Sequence, residues 1–204
     1  MTANGRMGGK ILADGLKAQG VDAIFGVPGE SFLALLDGLY DQRDTIRFIT
    51  CRQEGGAANM AEAYGKLTGC PGVCVVTRGP GATNASVGLH TAFQDSTPMI
   101  LLVGQVGREM LDREAFQEVN HQIFFSEMSK WSAEIKDASR IPEYLSHAFH
   151  VALSGRPGPV VLSLPEDMLR DEAEVEDAPR AIPVQPAPTM EQMSEVREML
   201  KNAE

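Results

Sequence analysis

The amino-acid sequence predicts an α/β protein in which a parallel sheet of about six strands is covered by helices on both faces. Short apolar runs alternate with helical patterns through the first 164 residues. Strands separated by helices pair in parallel, because the chain crosses back over the sheet between them. Loops rich in Gly and Pro follow several of the strands and turn the chain toward the next helix. Apolar residues make up 43% of the chain, enough for a substantial core.

The predicted strands are short and mostly apolar, as expected for strands buried inside a domain. The first begins at Ala23 and is stopped by Pro28 and Gly29. The run that begins at Trp131 is predicted to be an edge strand. The six predicted strands cover residues 23–27, 46–50, 73–76, 98–104, 131–135 and 159–164.

Helices are predicted where apolar residues recur every three or four positions or where small residues cluster. Ile11 and Leu16 lie on the apolar stripe of the first helix, which ends at Gly20. Ser31 is a suitable N-cap for the second helix. Residues 105–127 form a long irregular connection with room for one short helix. The predicted helices cover residues 11–20, 31–40, 55–68, 82–93, 142–153 and 189–202.

The charge distribution divides the chain into a nearly neutral body and an acidic tail. Of the formal net charge of −10, residues 165–204 carry −7, from 11 acidic and 4 basic side chains. We predict a domain at residues 1–170, an acidic, Pro-containing linker at 171–188, and the start of a truncated middle domain at 189–204. A solvated tail is the simpler interpretation, and a segment that docks on the body is the alternative.

Composition argues against several classes of protein. The body has no basic stripe that would neutralise nucleic-acid phosphates, and no apolar run reaches the ~18 residues of a membrane span. The first ten residues do not resemble an export signal. Cys51, Cys70 and Cys74 lack companion metal ligands and are predicted to be buried free thiols, which fits a reducing cytoplasm. We therefore expect a cytoplasmic protein with no metal site in this chain, no nucleic-acid partner and no membrane partner.

Four glycine-containing loops each follow a predicted strand. They should therefore line one common edge of the sheet, which is where α/β proteins bind ligands. They are residues 26–30, 51–56, 77–84 and 104–107. The loop from Gly79 to Gly81 lacks the third glycine of a dinucleotide fingerprint and the Gly-Lys-Ser/Thr of a phosphate loop, so a nucleotide site is not predicted. Plain turn geometry is the alternative for any single loop.

Glu54 is the most informative single residue. It lies just after a predicted buried strand, at the start of a helix whose next four residues, 55–58, are small. A carboxylate at a helix N-terminus is stabilised by the helix dipole, so simple capping accounts for it without a ligand. The alternative is functional, because small residues let a flat ligand approach closely and a buried carboxyl there could share a proton with a ring nitrogen. Position alone leaves both interpretations open.

Several segments resemble, in order, those of the acetolactate synthases and their relatives, which are thiamine-diphosphate-dependent enzymes. Residues 54–69 (EGGAANMAEAYGKLTG) resemble the family's catalytic-glutamate segment, and residues 77–84 (TRGPGATN) are similar to the next one. Further matches follow at residues 95–99, 104–106, 115–118, Lys130 and 155–159. The resemblance covers roughly residues 8–170 and implies the family's pyrimidine-binding domain, a thiamine-diphosphate-binding α/β fold.

The resemblance implies a specific role for Glu54. In this family the pyrimidine ring of thiamine diphosphate binds this domain at an interface with a partner chain. Glu54 would hydrogen-bond the ring nitrogen opposite the amino group, which favours the imino tautomer that removes the proton from the thiazolium carbon. The activated cofactor attacks a 2-oxo acid such as pyruvate, carbon dioxide leaves, and the product condenses with a second carbonyl to give, for example, 2-acetolactate.

Other residues match family positions around the same site. Those near the cofactor or supporting its pocket are Pro28, Gly29, Pro80 and Asn84. Those bordering the substrate channel are Phe116, Gln117 and Lys130, with packing as the alternative for Phe116 and a surface charge as the alternative for Lys130.

Glu30 departs from the family pattern, because acetolactate synthases usually have Gly at this position. It is therefore interpreted in one of two ways. Some 2-oxo acid decarboxylases of the superfamily have a proton-handling acid there, which would place Glu30 on the substrate side. Alternatively, Glu30 is a carboxylate that stabilises the start of a helix.

The resemblance also implies partners and cofactors. A homodimer or larger homo-oligomer is expected, since the family's site lies between chains. Mg²⁺ and the cofactor's diphosphate would be held by a C-terminal domain, and the Gly-Asp-Gly segment of that domain does not occur in this chain. FAD, where the family has it, would lie chiefly in the middle domain. This chain alone is therefore expected to bind thiamine diphosphate weakly and to be nearly inactive.

Two other functions stay open on the sequence. The chain could be a natural short subunit of a two-subunit 2-oxo acid decarboxylase, although the linker and the extra helix favour a piece of a larger enzyme. It could also be a non-catalytic dimerisation or ligand-sensing module. Glu54 and the intact neighbouring loops argue against that last alternative.

Overall fold

A computed structural model describes residues 5–184 and 186–203. Residues 1–4, 185 and 204, which belong to the predicted domain, linker and terminal segment, lie outside the described residues. The strands are Arg6–Met7 (β1), Ala23–Gly26 (β2), Arg47–Thr50 (β3), Gly72–Val76 (β4), Met99–Gln105 (β5), Trp131–Glu134 (β6), Pro159–Pro165 (β7) and Glu172–Ala173 (β8).

The main sheet has six parallel strands in the order β3-β2-β4-β5-β7-β6. The prediction of a parallel, roughly six-stranded sheet is therefore confirmed, and β6 lies at an edge as expected for the run that begins at Trp131. The remaining two strands, β1 and β8, form a separate antiparallel pair. They were not predicted, because two-residue strands have no periodicity that a sequence pattern reveals.

Helices cover both faces of the main sheet. They are Gly8–Ala18 (α1), Leu33–Asp41 (α2), Glu54–Thr68 (α3), Gly79–Gln94 (α4), His121–Phe124 (α5), Ile141–Leu153 (α6) and Met190–Lys201 (α7). Helices α1, α2 and α6 contribute to the core on one face, and α3 and α4 to the core on the other. No helix in the described part of the chain is both long and apolar enough to span a membrane.

The strands place alternate side chains in these two cores, as the pleat of a strand requires. In β4, Val73 and Val75 belong to the core of α1, α2 and α6, whereas Cys74 and Val76 belong to the core of α3 and α4. All four side chains are fully buried. Burial on both faces explains why the inner strands β2, β4, β5 and β7 appear in the sequence as continuous apolar runs, whereas the edge strands β3 and β6 are only partly buried.

Small residues let α3 and α4 pack closely against each other. A Cβ at Gly88 of α4 would lie 2.6 Å from the Cβ of Ala58 in α3, closer than two carbon atoms can approach without one of them moving. The Gly- and Ala-rich stretch that follows Glu54 therefore sets the spacing of two helices. Because both helices carry predicted site residues near their N-termini, this packing also positions the site.

The first part of the predicted linker docks on the body, which corrects the solvated-tail interpretation for that part. Strand β8 pairs with β1, so that Arg6 faces Ala173. The Arg6 guanidinium donates to the carboxylates of Asp14 and Asp177 and to the carbonyl of Val175. Arg6 and Asp177 are 171 positions apart, so charge counting along the sequence does not reveal that they pair.

Helix α7 follows the linker, and all its described side chains are exposed. Its start is a capping box: the Thr189 hydroxyl accepts from the N–H of Gln192, and the Gln192 side chain accepts from the N–H of Thr189. Apolar side chains such as Met190 and Leu200 lie on its surface. The assignment of this helix to a middle domain stays a prediction.

Candidate cofactor site

The four predicted loops meet at the carboxyl end of the main sheet, because its six strands run parallel. The residue after the first loop contacts the third loop directly, since the Oγ of Ser31 lies 2.9 Å from the Oγ1 of Thr77. A Cβ at Gly29 would lie 2.7 Å from the Cβ of Thr77, so only glycine fits between the loops that follow β2 and β4. Gly29 therefore has a packing role, and Pro28 beside it is exposed.

Glu54 is the first residue of α3 but does not cap this helix. The N-cap is Gln53, whose side chain accepts a hydrogen bond from the backbone N–H of Gly56 at 2.8 Å. Glu54 is half-buried, and its Oε2 accepts a hydrogen bond from the Nδ2 of Asn84 at 2.9 Å. Its Oε1 has no hydrogen-bond partner among the described residues. One oxygen of an oriented carboxylate is thus available to a ligand.

Asn84 and Pro80 lie in the first two turns of α4, beside the start of α3. Pro80 suits this place because the first N–H groups of a helix have no partner within the helix. The backbone carbonyl of Asn84 would lie 3.2 Å from a Cβ at Gly55, which shows how closely the two helix N-termini approach. The structure therefore brings the predicted pair Glu54 and Asn84 together, with Pro80 exposed one turn away.

Glu30 forms part of a charge network that the sequence did not predict. It begins a short 3-10 helix, and its Oε1 accepts a hydrogen bond from Arg78 at 2.8 Å. Arg78 is only 7% exposed and also donates to Glu166 at 2.7 Å. Burial opposes the charge on Arg78, but the bonds to Glu30 and Glu166 more than offset this effect, so the pKa of Arg78 is raised. Arg78 and Glu166 each come just after a strand of the main sheet. Their positions in the sequence could therefore have predicted that they lie at the same edge as Glu30.

A strained loop covers the start of α4. Three of the four described non-glycine residues with positive φ lie in it: Asp112, Glu114 and Gln117. The Glu118 carboxylate holds the loop together by accepting hydrogen bonds from the N–H groups of Ala115 at 2.9 Å and Asp112 at 2.6 Å. These bonds hold the pKa of Glu118 below its ordinary value. Strained backbone of this kind concentrates at functional sites.

Phe116 and Gln117 are presented by this strained loop. The carbonyl of Gln117 accepts a hydrogen bond from the N–H of Gly79 at 2.9 Å, which attaches the loop to the start of α4. The side chain of Phe116 is 73% exposed, so packing among the described residues does not account for it. Both predicted substrate-side residues therefore lie at the same end of the sheet as Glu54.

Lys130 lies elsewhere. It directly precedes β6 at the amino end of the sheet, and its N–H donates to the carbonyl of Pro159. Its ammonium donates to the carbonyls of Val151 and Ser154 at the end of α6. Burial lowers the pKa of Lys130. The structure does not bring this residue to the loops around Glu54, and neither predicted alternative describes it, because its charge is engaged in ending a helix.

A buried polar cluster at the carboxyl end was also missed. His121 is 1% exposed, and its Nδ1 lies 2.8 Å from the Oγ of Ser163 in β7. Burial lowers the pKa of His121 to about 4, so the imidazole is neutral at pH 7. The neighbouring Gln105 donates to the carbonyl of Val119. Burial also raises the pKa of Glu134, at the end of β6. Gln105 and Ser163 are isolated polar residues in otherwise apolar strands, and this feature of the sequence could have indicated the cluster.

Comparison with known proteins identifies the family to which the chain belongs. The family described as "Thiamine pyrophosphate enzyme, N-terminal TPP binding domain" matches residues 6–124, more than half of the chain. The chain belongs to this family, and the expected thiamine-diphosphate-binding α/β fold is confirmed.

The individual relatives narrow the assignment to the acetolactate synthase-like enzymes. The chain is 41% identical over 172 residues to a probable acetolactate synthase large subunit of Methanocaldococcus jannaschii, covering 84% of this chain and 29% of that protein. It is 42% identical over 163 residues to acetolactate synthase of Arthrospira platensis, covering 79% and 28%. It is 40% identical over 161 residues to acetolactate synthase isozyme 2 large subunit of Escherichia coli, covering 79% of this chain and 29% of that protein. The chain thus spans less than a third of the length of these relatives.

Proposed function

We propose that this domain forms the pyrimidine side of a thiamine-diphosphate site that decarboxylates a 2-oxo acid and joins the product to a second carbonyl compound. The observation that carries the proposal is the Glu54 carboxylate, of which Asn84 holds one oxygen while the other has no partner among the described residues. The relatives are named acetolactate synthases, which supports pyruvate as the substrate and 2-acetolactate as the product.

The start of α3 leaves room for a ligand. Glu54 is only half-buried, and a Cβ at Gly56 would meet no atom within 4 Å. A ring nitrogen that shares a proton with a carboxylate forms a charge-assisted hydrogen bond, which is stronger than a neutral one. When bound, thiamine diphosphate supplies a nucleophilic carbon that attacks 2-oxo carbonyl groups. The chain itself supplies a carboxylate whose direction is set by a neighbouring amide.

Each site residue has a distinct role in this proposal. Glu54 holds or releases a proton at the ring nitrogen, and Asn84 keeps its carboxylate oriented. Glu30, which Arg78 holds in place, is assigned in this proposal to the substrate side of the site. Phe116 and Gln117 border the substrate channel, with Pro28, Gly29 and Pro80 supporting the cofactor pocket. Lys130 is not included, since it lies at the opposite end of the sheet.

Other parts of the enzyme complete the proposed site. We propose a homodimer or larger homo-oligomer, with Mg²⁺ and the diphosphate held by a further domain and FAD, where present, in a middle domain that begins near α7. The side chains of Phe116 and of α7 are exposed and several of them are apolar. This exposure supports the proposal that other domains cover these surfaces. The chain alone would then have little activity. The three free cysteines support a cytoplasmic location.

The decisive experiment measures decarboxylation of pyruvate by the assembled enzyme, with this domain, the complementing domains, thiamine diphosphate and Mg²⁺. We expect Glu54→Gln to lower kcat by at least about 100-fold, because an amide cannot exchange a proton with the ring nitrogen. The control is Glu127→Gln, whose exposed carboxylate has no partner among the described residues. Equal turnover in the Glu54 variant and the wild type would exclude the proposed role.

A further inference from the structure

A cavity of about 300 Å³ lies at the amino end of the main sheet, opposite the cofactor loops. Its walls come from the end of α1, the start of β2, α3 with the turn before β4, and α6. Apolar side chains such as Val21, Phe149 and Leu153 line most of it. This volume is at the lower end of the range for ligand pockets, so the cavity fits a molecule the size of an amino acid.

The remaining wall is residues 180–183 of the linker, which belong to the segment 179–183, here called the strap. Gln19, which is 4% exposed, holds the strap with both ends of its amide. Its Nε2 donates to the carbonyl of Pro179 at 3.0 Å, and its Oε1 accepts from the N–H of Ala181 at 2.9 Å. These two bonds bracket Arg180 and fix the point at which its side chain leaves the backbone.

The Arg180 guanidinium lies over the backbone of Gly20, at the rim of the cavity. A Cβ at Gly20 would be 3.0 Å from the Cζ of Arg180, which shows how closely the guanidinium approaches this backbone. Gly20 has a φ of +87°, a conformation that favours glycine. Among the described residues, Arg180 has no ion-pair partner. A planar cation is therefore available to a carboxylate, which guanidinium binds with two parallel hydrogen bonds.

An acidic side chain lies on the same rim, two residues after Gly20. Asp22 is exposed, and its Oδ1 accepts a hydrogen bond from the hydroxyl of Tyr64 at 2.7 Å. That bond is the main reason why the pKa of Tyr64 is raised to about 12, with burial adding to it. Tyr64 thus stays a neutral donor and orients Asp22. The Oδ2 of Asp22 has no partner among the described residues and is available to a cation.

We propose that this cavity is a binding site for a zwitterionic α-amino acid with an apolar side chain. The carboxylate pairs with Arg180, the ammonium group pairs with Asp22, and the side chain packs against Phe149 and Leu153. An apolar molecule with a single charge would leave either Arg180 or Asp22 without a partner. The site therefore selects against molecules of that kind. Because Arg180 belongs to the strap, a bound amino acid also stabilises the docked position of the strap.

The test measures L-phenylalanine binding to the chain by calorimetry and by amide chemical shifts. We expect binding that shifts the amides of Gly20 and Gly69 and is weakened about tenfold or more by Arg180→Gln and by Asp22→Asn. The control is Arg43→Gln, because the Arg43 guanidinium packs over the Tyr40 ring outside the cavity. 3-Phenylpropanoate lacks the ammonium group and L-phenylalaninol lacks the carboxylate, so each should bind about tenfold more weakly than L-phenylalanine.

Cys70 provides an independent measurement, because it lines the cavity and is exposed, contrary to the prediction of a buried thiol. L-Phenylalanine should slow its alkylation, measured by mass spectrometry of the Cys70 peptide. Three outcomes overturn the proposal: no binding at about 10 mM L-phenylalanine, binding that Arg180→Gln leaves unchanged, or equal binding of 3-phenylpropanoate. Shifts confined to the loops around Glu54 overturn it as well.

Discussion

The two ends of the main sheet use similar polar side chains in different ways. At the carboxyl end, Glu30, Glu54 and Asn84 are partly or fully exposed and contact other side chains. At the amino end, Lys130 and Gln19 direct their polar groups into the backbone of their own chain. In a parallel sheet, the loops after the strands form the ligand edge. The loops before them meet the ends of helices, whose last carbonyls need donors.

This difference explains why the match to a family segment did not predict at which end of the sheet Lys130 lies. Lys130 was matched, like Phe116 and Gln117, to a family position that borders the substrate channel, so a common site was expected. However, Lys130 precedes its strand, whereas Glu54 follows one. The position of a residue relative to its strand therefore decides which end of the sheet it occupies, and here it separates a helix-ending lysine from a ligand-facing carboxylate.

The largest expected effect on stability comes from His121, at the carboxyl end. Its pKa is about 4 in the folded chain and about 6.5 in the unfolded chain, so the unfolded state binds more protons between these values. The stabilisation is complete above pH 6.5 and is lost as the pH falls toward 4. We expect the free energy of unfolding to decrease by on the order of 3 kcal/mol.

Urea unfolding at several pH values between 7 and 4 measures this decrease. His121→Gln keeps a polar side chain but does not titrate, so its free energy of unfolding should depend less on pH. The exposed His150 provides the control, and His150→Gln should keep the wild-type dependence. An unchanged pH dependence in the His121 variant would show that other groups cause the acid sensitivity.

A smaller effect is expected when the charge network at the carboxyl end is broken. Arg78→Gln leaves the carboxylates of Glu30 and Glu166 near each other without the cation that joins them. We expect a loss of about 2 kcal/mol at pH 7, less than for a fully buried pair because Glu30 is exposed. Chemical denaturation measures the loss.

The matched control for this network is an exposed ion pair. Arg140 donates to Glu143 on the surface, and Arg140→Gln should produce no measurable change. If both arginine variants unfold at the same denaturant concentration as the wild type, the network at the carboxyl end adds nothing to the stability of the fold.

The smallest effect is expected at the amino end. Lys130→Met removes two hydrogen bonds to the end of α6 and should lower the free energy of unfolding by about 1 kcal/mol. Turnover of the assembled enzyme should change less than about twofold. Lys136→Met, at an exposed position, is the control. A tenfold loss of turnover in the Lys130 variant alone would break the comparison, because Lys130 would then reach the substrate of another chain.

Local sequence patterns were sufficient to predict most of the architecture. Doubly buried strands require continuous apolar runs, and the cap of each helix depends on a few neighbouring residues, as at Thr189 and Gln192. The resemblance around Glu54 then identified the family, which the comparisons confirm. These features are visible in sequence because each depends on residues close together along the chain.

The sequence by itself determined the fold class, the family and the position of Glu54 at a strand end. Only the tertiary structure decided that Gln53 caps α3 while Asn84 orients Glu54, and that Arg78 joins Glu30 to Glu166. It also decided that the strap docks on α1. The physical reason is the same in each of the tertiary contacts: a hydrogen bond or ion pair forms between groups far apart in sequence, and only the packing of helices and strands brings them within reach.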